Sequence, residues 1–244
     1  MRGGGRPRAA PPAGDACYSL DIEGRAVPLR VRRNGRARRL VLRIDAAADG
    51  AVVTLPPGVP VEDGLDMARQ RAAWIAGRLA ALPARRPFAD GSRVPFLGVE
   101  HPVRHRSGCR GTAWLEDGEI HVAGGAEHLA RRLTDWLKGE ARRRIAPKVA
   151  DKAARLGQTA GRIALRDTRS RWGSCSANGN LSFCWRLVMA PETVLDYVVA
   201  HEVAHLAERG HSPRFWRAVA GLTNDAEGAR AWLRDNGDGL HRYG

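Results

Sequence analysis

The chain has 244 residues, with 40 lysines and arginines against 26 aspartates and glutamates, and its formal net charge is +14. No apolar run approaches the about 20 residues that a helix needs to span a bilayer, and no signal-peptide core follows the basic first residues. We therefore expect a cytoplasmic protein that does not enter membranes, with its four cysteines, which lack CxxC spacing, as free thiols.

The first part of the chain is predicted to be rich in β-strands. Residues 1–16 are basic and rich in glycine, alanine and proline, which predicts a disordered tail. Residues 17–110 form a strand-rich N-terminal portion, with candidate strands at 18–22, 27–32, 39–44, 51–55, 94–97 and 101–105. Helical spacing of apolar residues predicts one helix over 61–82, which Pro83 and Pro87 end.

A cluster of arginines lies at the beginning of this portion. Its members are Arg30, Arg32, Arg33, Arg36, Arg38 and Arg39. Clustered arginines neutralise phosphates, which makes nucleic acid a candidate partner. No aromatic residues are interleaved with the cluster for stacking on bases, and the alternation in 27–32 suits a strand with a charged outer face. We favour a solvated basic sheet face over nucleic-acid binding.

Residues 111–244 are predicted to form a second domain with strands and long helices. Short strands are expected at 113–115 and 120–122, and an apolar stripe predicts a helix from residue 127 to about residue 156. A strand over 163–166 follows. Asn178-Gly179 is a strong hairpin signal between the segments 169–174 and 181–187. Pro191 and Glu192 then begin a helix whose apolar face packs on a core.

The stretch His201-Glu202-Val203-Ala204-His205 in that helix is the most informative of the chain. Two histidines four residues apart on a helix differ by about 40° in azimuth, so both imidazoles project from one face. They can then bind one zinc ion, and Glu202 can reach a water on the same metal. The alternative is a surface helix that carries these three residues by chance.

His211 is predicted to be the third metal ligand. On a continuing helix it would lie about 240° around from His205 and point away from the metal. Gly210 is therefore expected to end the helix in the left-handed conformation, and the chain then brings His211 back. This arrangement leaves the fourth position of a catalytic zinc ion to water. A histidine that only caps the helix end is the alternative.

Two other zinc-protease patterns were compared with this arrangement. The metzincin pattern fails, because Glu208 stands where that pattern has glycine and no methionine follows His211. Other zinc proteases take a glutamate from a later helix, which makes Glu227 the rival third ligand. We favour His211, since Ser212 and Pro213 can begin a new helix directly after it and hold it in place.

Several runs resemble the YgjP-like metallopeptidases, which are relatives of the SprT-type zinc proteases. These runs are Arg169-Ser170-Arg171-Trp172-Gly173-Ser174-Cys175, Trp185-Arg186-Leu187, Tyr197-Val198-Val199-Ala200-His201-Glu202 and His211-Ser212. The resemblance is strong from about residue 168 to residue 216 and weaker upstream. It implies one zinc ion and an α+β fold, in which a zincin-like metallopeptidase core with the HExxH helix follows the strand-rich N-terminal portion. It does not imply a known substrate.

The segment before the metal helix is expected to contact the substrate. A sheet edge at this place can receive an extended peptide as an additional strand. Arg171 and Trp172 are candidates for lining the cleft or supporting the metal site. The equally weighted alternatives are a core position for Trp172 and an ion pair of Arg171 with a carboxylate such as Asp196. Tyr197 lies one turn before His201 and can assist an oxyanion, although a packed tyrosine is the favoured reading.

The expected function is a zinc-dependent metallopeptidase that acts on a peptide or protein substrate. Zinc lowers the pKa of a bound water toward about 7, and Glu202 takes the proton of this zinc-activated water as general base. A DNA-associated protease, like the SprT-type relatives, is the first alternative and is suggested by the basic charge. The second alternative is a non-catalytic zinc-binding protein in which the histidines hold structure only.

Overall fold

The structure is a computed structural model that describes residues 15–244. Most of the predicted tail, residues 1–14, lies outside the described residues, and residues 15 and 16 belong to the first strand. The described chain is a mixed α+β protein with eleven strands in three sheets and six α-helices. It divides into two compact units, one that ends at Leu82 and one that spans Pro83–Gly244. None of the described helices is both long enough and apolar enough to cross a membrane.

The first unit is a four-stranded sheet with two helices. Its elements are β1 (Asp15–Ile22), β2 (Arg25–Arg33), β3 (Val41–Asp45), β4 (Gly50–Leu55), α1 (Val61–Gln70) and α2 (Ala72–Ala80). The strand order is β1-β2-β4-β3, with β2 and β4 parallel and the outer pairs antiparallel. The predicted single helix over 61–82 is two helices, because the backbone of Arg71 leaves the helical region at φ −104° and ψ 17°.

The core of this unit lies on one face of the sheet. Val53 and Leu55 of β4, a strand whose residues are all buried, share a cluster with Ile75 of α2 and with Leu29 and Val31. Leu29 and Val31 alternate with less buried positions along β2. This alternation is the period of two that a strand with one buried face requires.

Arginines of the basic cluster bond within the unit, and Arg30 and Arg32 lie on the opposite face of the sheet. Arg30 pairs with Asp45 at 3.3 Å between Nη2 and Oδ2. The Nε of Arg32 donates to the hydroxyl of Thr54 at 3.0 Å, and an Nη1 of Arg33 donates to a backbone carbonyl at 2.7 Å. Part of the hydrogen-bonding capacity of the cluster is therefore used inside the fold.

The second unit begins with a sheet of the same topology. Its strands are β5 (Arg93–Phe96), β6 (Val99–Arg106), β7 (Ala113–Glu116) and β8 (Glu119–Ala123). The order β5-β6-β8-β7, with β6 and β8 parallel, repeats the arrangement of the first unit. The predicted division after residue 110 falls inside this sheet, since Val103 of β6 pairs with Ile120 of β8. The structure divides the chain after Leu82 instead.

A long helix and a second sheet form the centre of this unit. The helix is α3 (Leu129–Arg155), and the strands are β9 (Ile163–Arg166), β10 (Gly173–Cys175) and β11 (Leu181–Cys184). The sheet order β10-β11-β9 leaves β10 at an edge. The predicted hairpin is confirmed, because β10 and β11 pair antiparallel around a turn in which Gly179 has a positive φ of 71°.

Three helices complete the unit. They are α4 (Glu192–Ala204), α5 (Pro213–Leu222) and α6 (Ala226–Leu240). Buried residues on most sides of α4, such as Leu195, Val199 and Val203, place this helix inside the core. Asp196 of α4 bonds to the buried Lys152 of α3, at 2.9 Å between Oδ1 and Nζ. Among the described residues Asp196 pairs with Lys148 and Lys152, and not with Arg171 as one alternative had it.

Candidate metal centre

Three histidines converge at the end of α4. His201, His205 and His211 each offer a ring nitrogen, and these atoms all lie within 4.8 Å of one another. The ring centroids are 4.9 to 5.2 Å apart. In the part of the chain that the structure describes, no other three histidine, cysteine or acidic side chains come together in this way. Glu227, the rival ligand, is exposed in the first turn of α6 and does not belong to the group.

The way in which the chain returns to the site differs from the prediction. The helix ends at Ala204 with His205 as its C-cap, well before Gly210. The backbone N–H of Glu208 donates to the carbonyl of Ala204 at 2.9 Å, which closes the turn that follows. Gly210 does not have the predicted left-handed backbone, since its φ is not positive. The backbone hydrogen bonds of this turn therefore end the helix, and Gly210 does not need the left-handed conformation for it.

Backbone contacts orient one of the three imidazoles. Nδ1 of His205 lies 3.0 Å from the carbonyl oxygen of Glu208, so Nδ1 donates and Nε2 keeps a free lone pair for a metal. Nε2 of His201 lies 3.3 Å from Nε2 of His211. Nδ1 of His201 is buried and has no hydrogen-bond partner among the described residues.

Phe215 packs against all three imidazoles from the first turn of α5. Its ring centroid lies 5.0 Å from that of His201, 4.5 Å from that of His205 and 4.7 Å from that of His211. The side chain is fully buried, and its backbone N–H donates to the hydroxyl of Ser212 at 3.3 Å. Ser212 is the N-cap of α5, as predicted, so the cap also holds the ring that supports the histidines.

The chemistry of this donor set fits a metal such as zinc. Burial, together with the nearby charges of His205, His211 and Arg230, lowers the pKa of His201 to about 4. Burial also lowers the pKa of His205. Both rings are therefore neutral at neutral pH, and a neutral imidazole nitrogen is the form that binds a metal.

Glu202 is buried beside the histidines. Burial raises its pKa to about 7, against the opposing effects of the Arg171 charge and of a hydrogen bond from the backbone N–H of Cys175. The carboxyl group packs directly on Gly173 of β10, where a Cβ atom would lie 2.4 Å from Cγ of Glu202. Glycine is required at this position because any side chain would displace Glu202.

A cleft of about 450 Å³ opens over this cluster. Its walls are the three histidines, Glu202, strand β10 with the loop after it, and two arginines, Arg171 and Arg209. Of the predicted cleft candidates, only Arg171 lies in the wall. Trp172 stacks on His241 at 5.0 Å between centroids, outside the cleft. Tyr197 is 6% exposed and meets His201 edge to face, so it packs as a core residue.

Sequence reasoning did not single out six residues of the wall, which are Gly173, Ser174, Cys175, Ser176, Ala177 and Arg209. The sequence position of Arg209 could have identified it. It lies between the predicted ligands His205 and His211 and therefore has to stay near them. Gly173 and Cys175 belong to the run that carries the family resemblance, but only the pairing of β10 with β11 and its approach to α4 place them beside Glu202.

Comparison with known proteins identifies a family. A family model described as the YgjP-like metallopeptidase domain matches residues 38–236, which is well over half of the chain. No curated protein matches the chain, and no solved structure does. The matched span includes every residue that lines the cleft.

Proposed function

Because the chain belongs to the YgjP-like metallopeptidase family, we propose that it is a zinc-dependent peptidase with a zincin-like catalytic core in its second unit. One zinc ion is held by His201, His205 and His211, and Glu202 is the general base. The observation that carries this proposal is the convergence of three imidazoles beside a buried carboxyl group whose pKa lies near neutrality.

Glu202 performs the proton transfers of the proposed reaction. A bound zinc ion polarises the substrate carbonyl and makes water acidic enough to lose a proton near neutral pH. Glu202 accepts that proton at a carboxylate oxygen and later donates it to the amine of the departing product. In the metal-free protein this carboxyl group exchanges its proton near neutral pH, since burial raises its pKa to about 7. The backbone N–H of Cys175 holds the carboxylate in position for these transfers.

Strand β10 is the proposed binding edge for a peptide or protein substrate. It is the edge strand of its sheet, and its residues Gly173, Ser174 and Cys175 all lie in the cleft wall. An extended peptide can pair with such an edge through backbone hydrogen bonds, which do not depend on the substrate sequence. This binding mode brings a scissile bond alongside Glu202.

The general-base role is tested with Glu202→Gln. The amide keeps the shape of the carboxyl group but cannot accept the proton, so peptide hydrolysis should fall by about 10²- to 10⁴-fold while zinc content stays unchanged. The measurement is cleavage of a peptide library together with metal analysis of the same samples. Glu227→Gln is the matched control, because that side chain is exposed and outside the cleft. Full activity of Glu202→Gln would exclude the proposed mechanism.

The two alternatives from the sequence are less well supported. A DNA-associated protease is suggested by the basic charge, but Arg30, Arg32 and Arg33 of the arginine cluster bond within the first unit. A zinc site that only holds structure has four protein ligands and needs neither an open cleft nor a buried carboxyl group beside the metal. The cleft and the raised pKa of Glu202 therefore favour catalysis.

A further inference from the structure

Two guanidinium groups stand in the cleft wall in addition to the metal cluster. Arg171 lies two residues before Gly173, the first residue of β10, and Arg209 lies in the turn between His205 and His211. Both residues are exposed. An Nη2 of Arg209 donates to the backbone carbonyl of Ala177 at 3.1 Å, which ties this side chain to the loop after β10. Neither guanidinium forms an ion pair with a carboxylate among the described residues.

This lack of an acidic partner distinguishes the two arginines from others in the same unit. Arg104 pairs with Glu119 at 2.8 Å, and Arg186 pairs with Asp167 at 2.8 Å. Glu202 is the one acidic residue in the cleft wall, against the two arginines. The wall therefore carries more arginines than acidic side chains. A guanidinium binds a carboxylate through two parallel hydrogen bonds, which makes a carboxylate its best-matched partner.

The two guanidinium groups flank the proposed binding edge. Arg171 lies before Gly173, the first residue of β10, and Arg209 is bonded to Ala177, which follows Cys175, the last residue of β10. The three-residue strand spans about 7 Å, at about 3.3 Å per residue. An extended peptide paired with β10 therefore passes one guanidinium near each end of the segment that lies beside Glu202.

We propose that the cleft selects peptide segments with aspartate or glutamate side chains close to the cleaved bond, and that Arg171 and Arg209 bind these carboxylates. This inference rests on the proposed peptidase function and adds the substrate class to it. A neutral or basic segment leaves both guanidinium groups without a carboxylate partner. An acidic segment gains charge-assisted hydrogen bonds that weaken with added salt.

Binding and cleavage are measured separately, so that the specificity and the peptidase function are tested independently. The probes are N-acetylated, C-amidated peptides of equal length in which the central positions are either Asp or the isosteric Asn. Zinc-loaded Glu202→Gln protein should bind the Asp peptides about tenfold more tightly, which corresponds to about 1.4 kcal/mol. The parent protein should show a similar preference in kcat/KM. Equal binding of the two peptide sets would overturn the inference even if both are cleaved.

Variants identify the residues responsible for the preference. In the Glu202→Gln background, Arg171→Gln with Arg209→Gln should reduce the Asp preference to less than about twofold. Arg142→Gln is the matched control, since this exposed arginine lies outside the cleft wall and its loss should leave the preference intact. Replacing both cleft arginines by Glu should reverse the preference toward lysine-containing peptides. An unchanged Asp preference in either double variant would overturn the assignment.

A second set of peptides separates side-chain carboxylates from the carboxylate at a chain end. These peptides contain Asn at the central positions and a free C-terminus in place of the amide. Tight binding of the amidated Asp peptides supports the proposal. If binding depends on the two arginines but requires the free C-terminus, the proposal is overturned. The arginines would then recognise the carboxylate at the end of a peptide chain.

Discussion

At the residue scale, burial controls the protonation of the site. Glu202 is 7% exposed and its pKa is raised to about 7, whereas burial lowers the pKa of His201 to about 4. A carboxyl group with a raised folded-state pKa stabilises the fold below its unfolded pKa and loses that contribution as pH rises. A histidine with a lowered pKa acts in the opposite direction, because its protonation at low pH favours the unfolded chain.

The free energy of unfolding of the metal-free protein tests the Glu202 shift. The contribution of Glu202 to stability changes with pH between its ordinary pKa of 4.5 and its pKa of about 7 in the folded protein. Glu202→Gln should therefore stabilise the metal-free protein, and its advantage should grow by about 2 kcal/mol between about pH 5 and about pH 8. Urea unfolding of both proteins in chelator measures this difference. The His201 contribution is common to both proteins and cancels, so an advantage independent of pH would contradict the raised pKa.

At the scale of elements, the site depends on a helix that ends early and another that begins at a fixed place. The turn after Ala204 reverses the chain, and the Ser212 cap begins α5 directly after His211. Phe215 of that helix then contacts all three imidazoles. The proposed third ligand, His211, is thus positioned by the junction of α4 and α5.

Metal binding of two alanine variants tests which residue completes the site. His211→Ala removes a ligand that α5 holds in place, so zinc affinity should fall by about 100-fold or more, since even loss of a group that supports a ligand costs about 10- to 100-fold. Glu227→Ala should leave zinc affinity unchanged, because that side chain is exposed and outside the cluster. Competition with a chromogenic chelator measures both. Full zinc occupancy in His211→Ala would refute the proposed ligand set.

At the scale of the molecule, a buried arginine holds the end of the chain in the second unit. Arg186 is 8% exposed and bonds Asp167 through Nε at 2.8 Å and the carbonyls of Leu240 and Tyr243 through Nη1 at 3.1 and 2.6 Å. Burial opposes ionisation of Asp167, but the hydrogen bond and charge of Arg186 outweigh it and lower the pKa of Asp167. One guanidinium thus connects the chain end to the segment before β10.

Replacing this arginine tests how much the chain end contributes to stability. Arg186→Met leaves two buried carbonyls and one half-exposed carboxylate without their partner, so the free energy of unfolding should fall by about 2 to 4 kcal/mol. Arg166→Met on β9 is the control, since that residue is exposed. Urea unfolding at neutral pH compares the two variants. Equal stability of both variants would contradict the role of Arg186.

Local patterns made much of the fold and part of the candidate site predictable. Alternation in β2, the Asn-Gly turn and the apolar stripe of α3 each predict an element that the structure contains. The spacing of His201 and His205 places both on one face of a helix, and Ser212 predicts the start of α5. These features are encoded within a few residues, because backbone geometry and short-range hydrogen bonds determine them.

The remaining features depend on contacts between residues far apart in the chain. The repeated strand order of the two four-stranded sheets has no matching repeat in the sequence, since many side chains satisfy the same pairing. Trp172 turns toward His241, and Arg171 and Arg209 enter the cleft, although neighbouring positions look equivalent in the sequence. Which face each side chain takes is decided by the elements that pack against it. The sequence by itself therefore determined the proposed metal ligands at the end of α4. The tertiary structure determined the walls around them, because packing partners are not local in the chain.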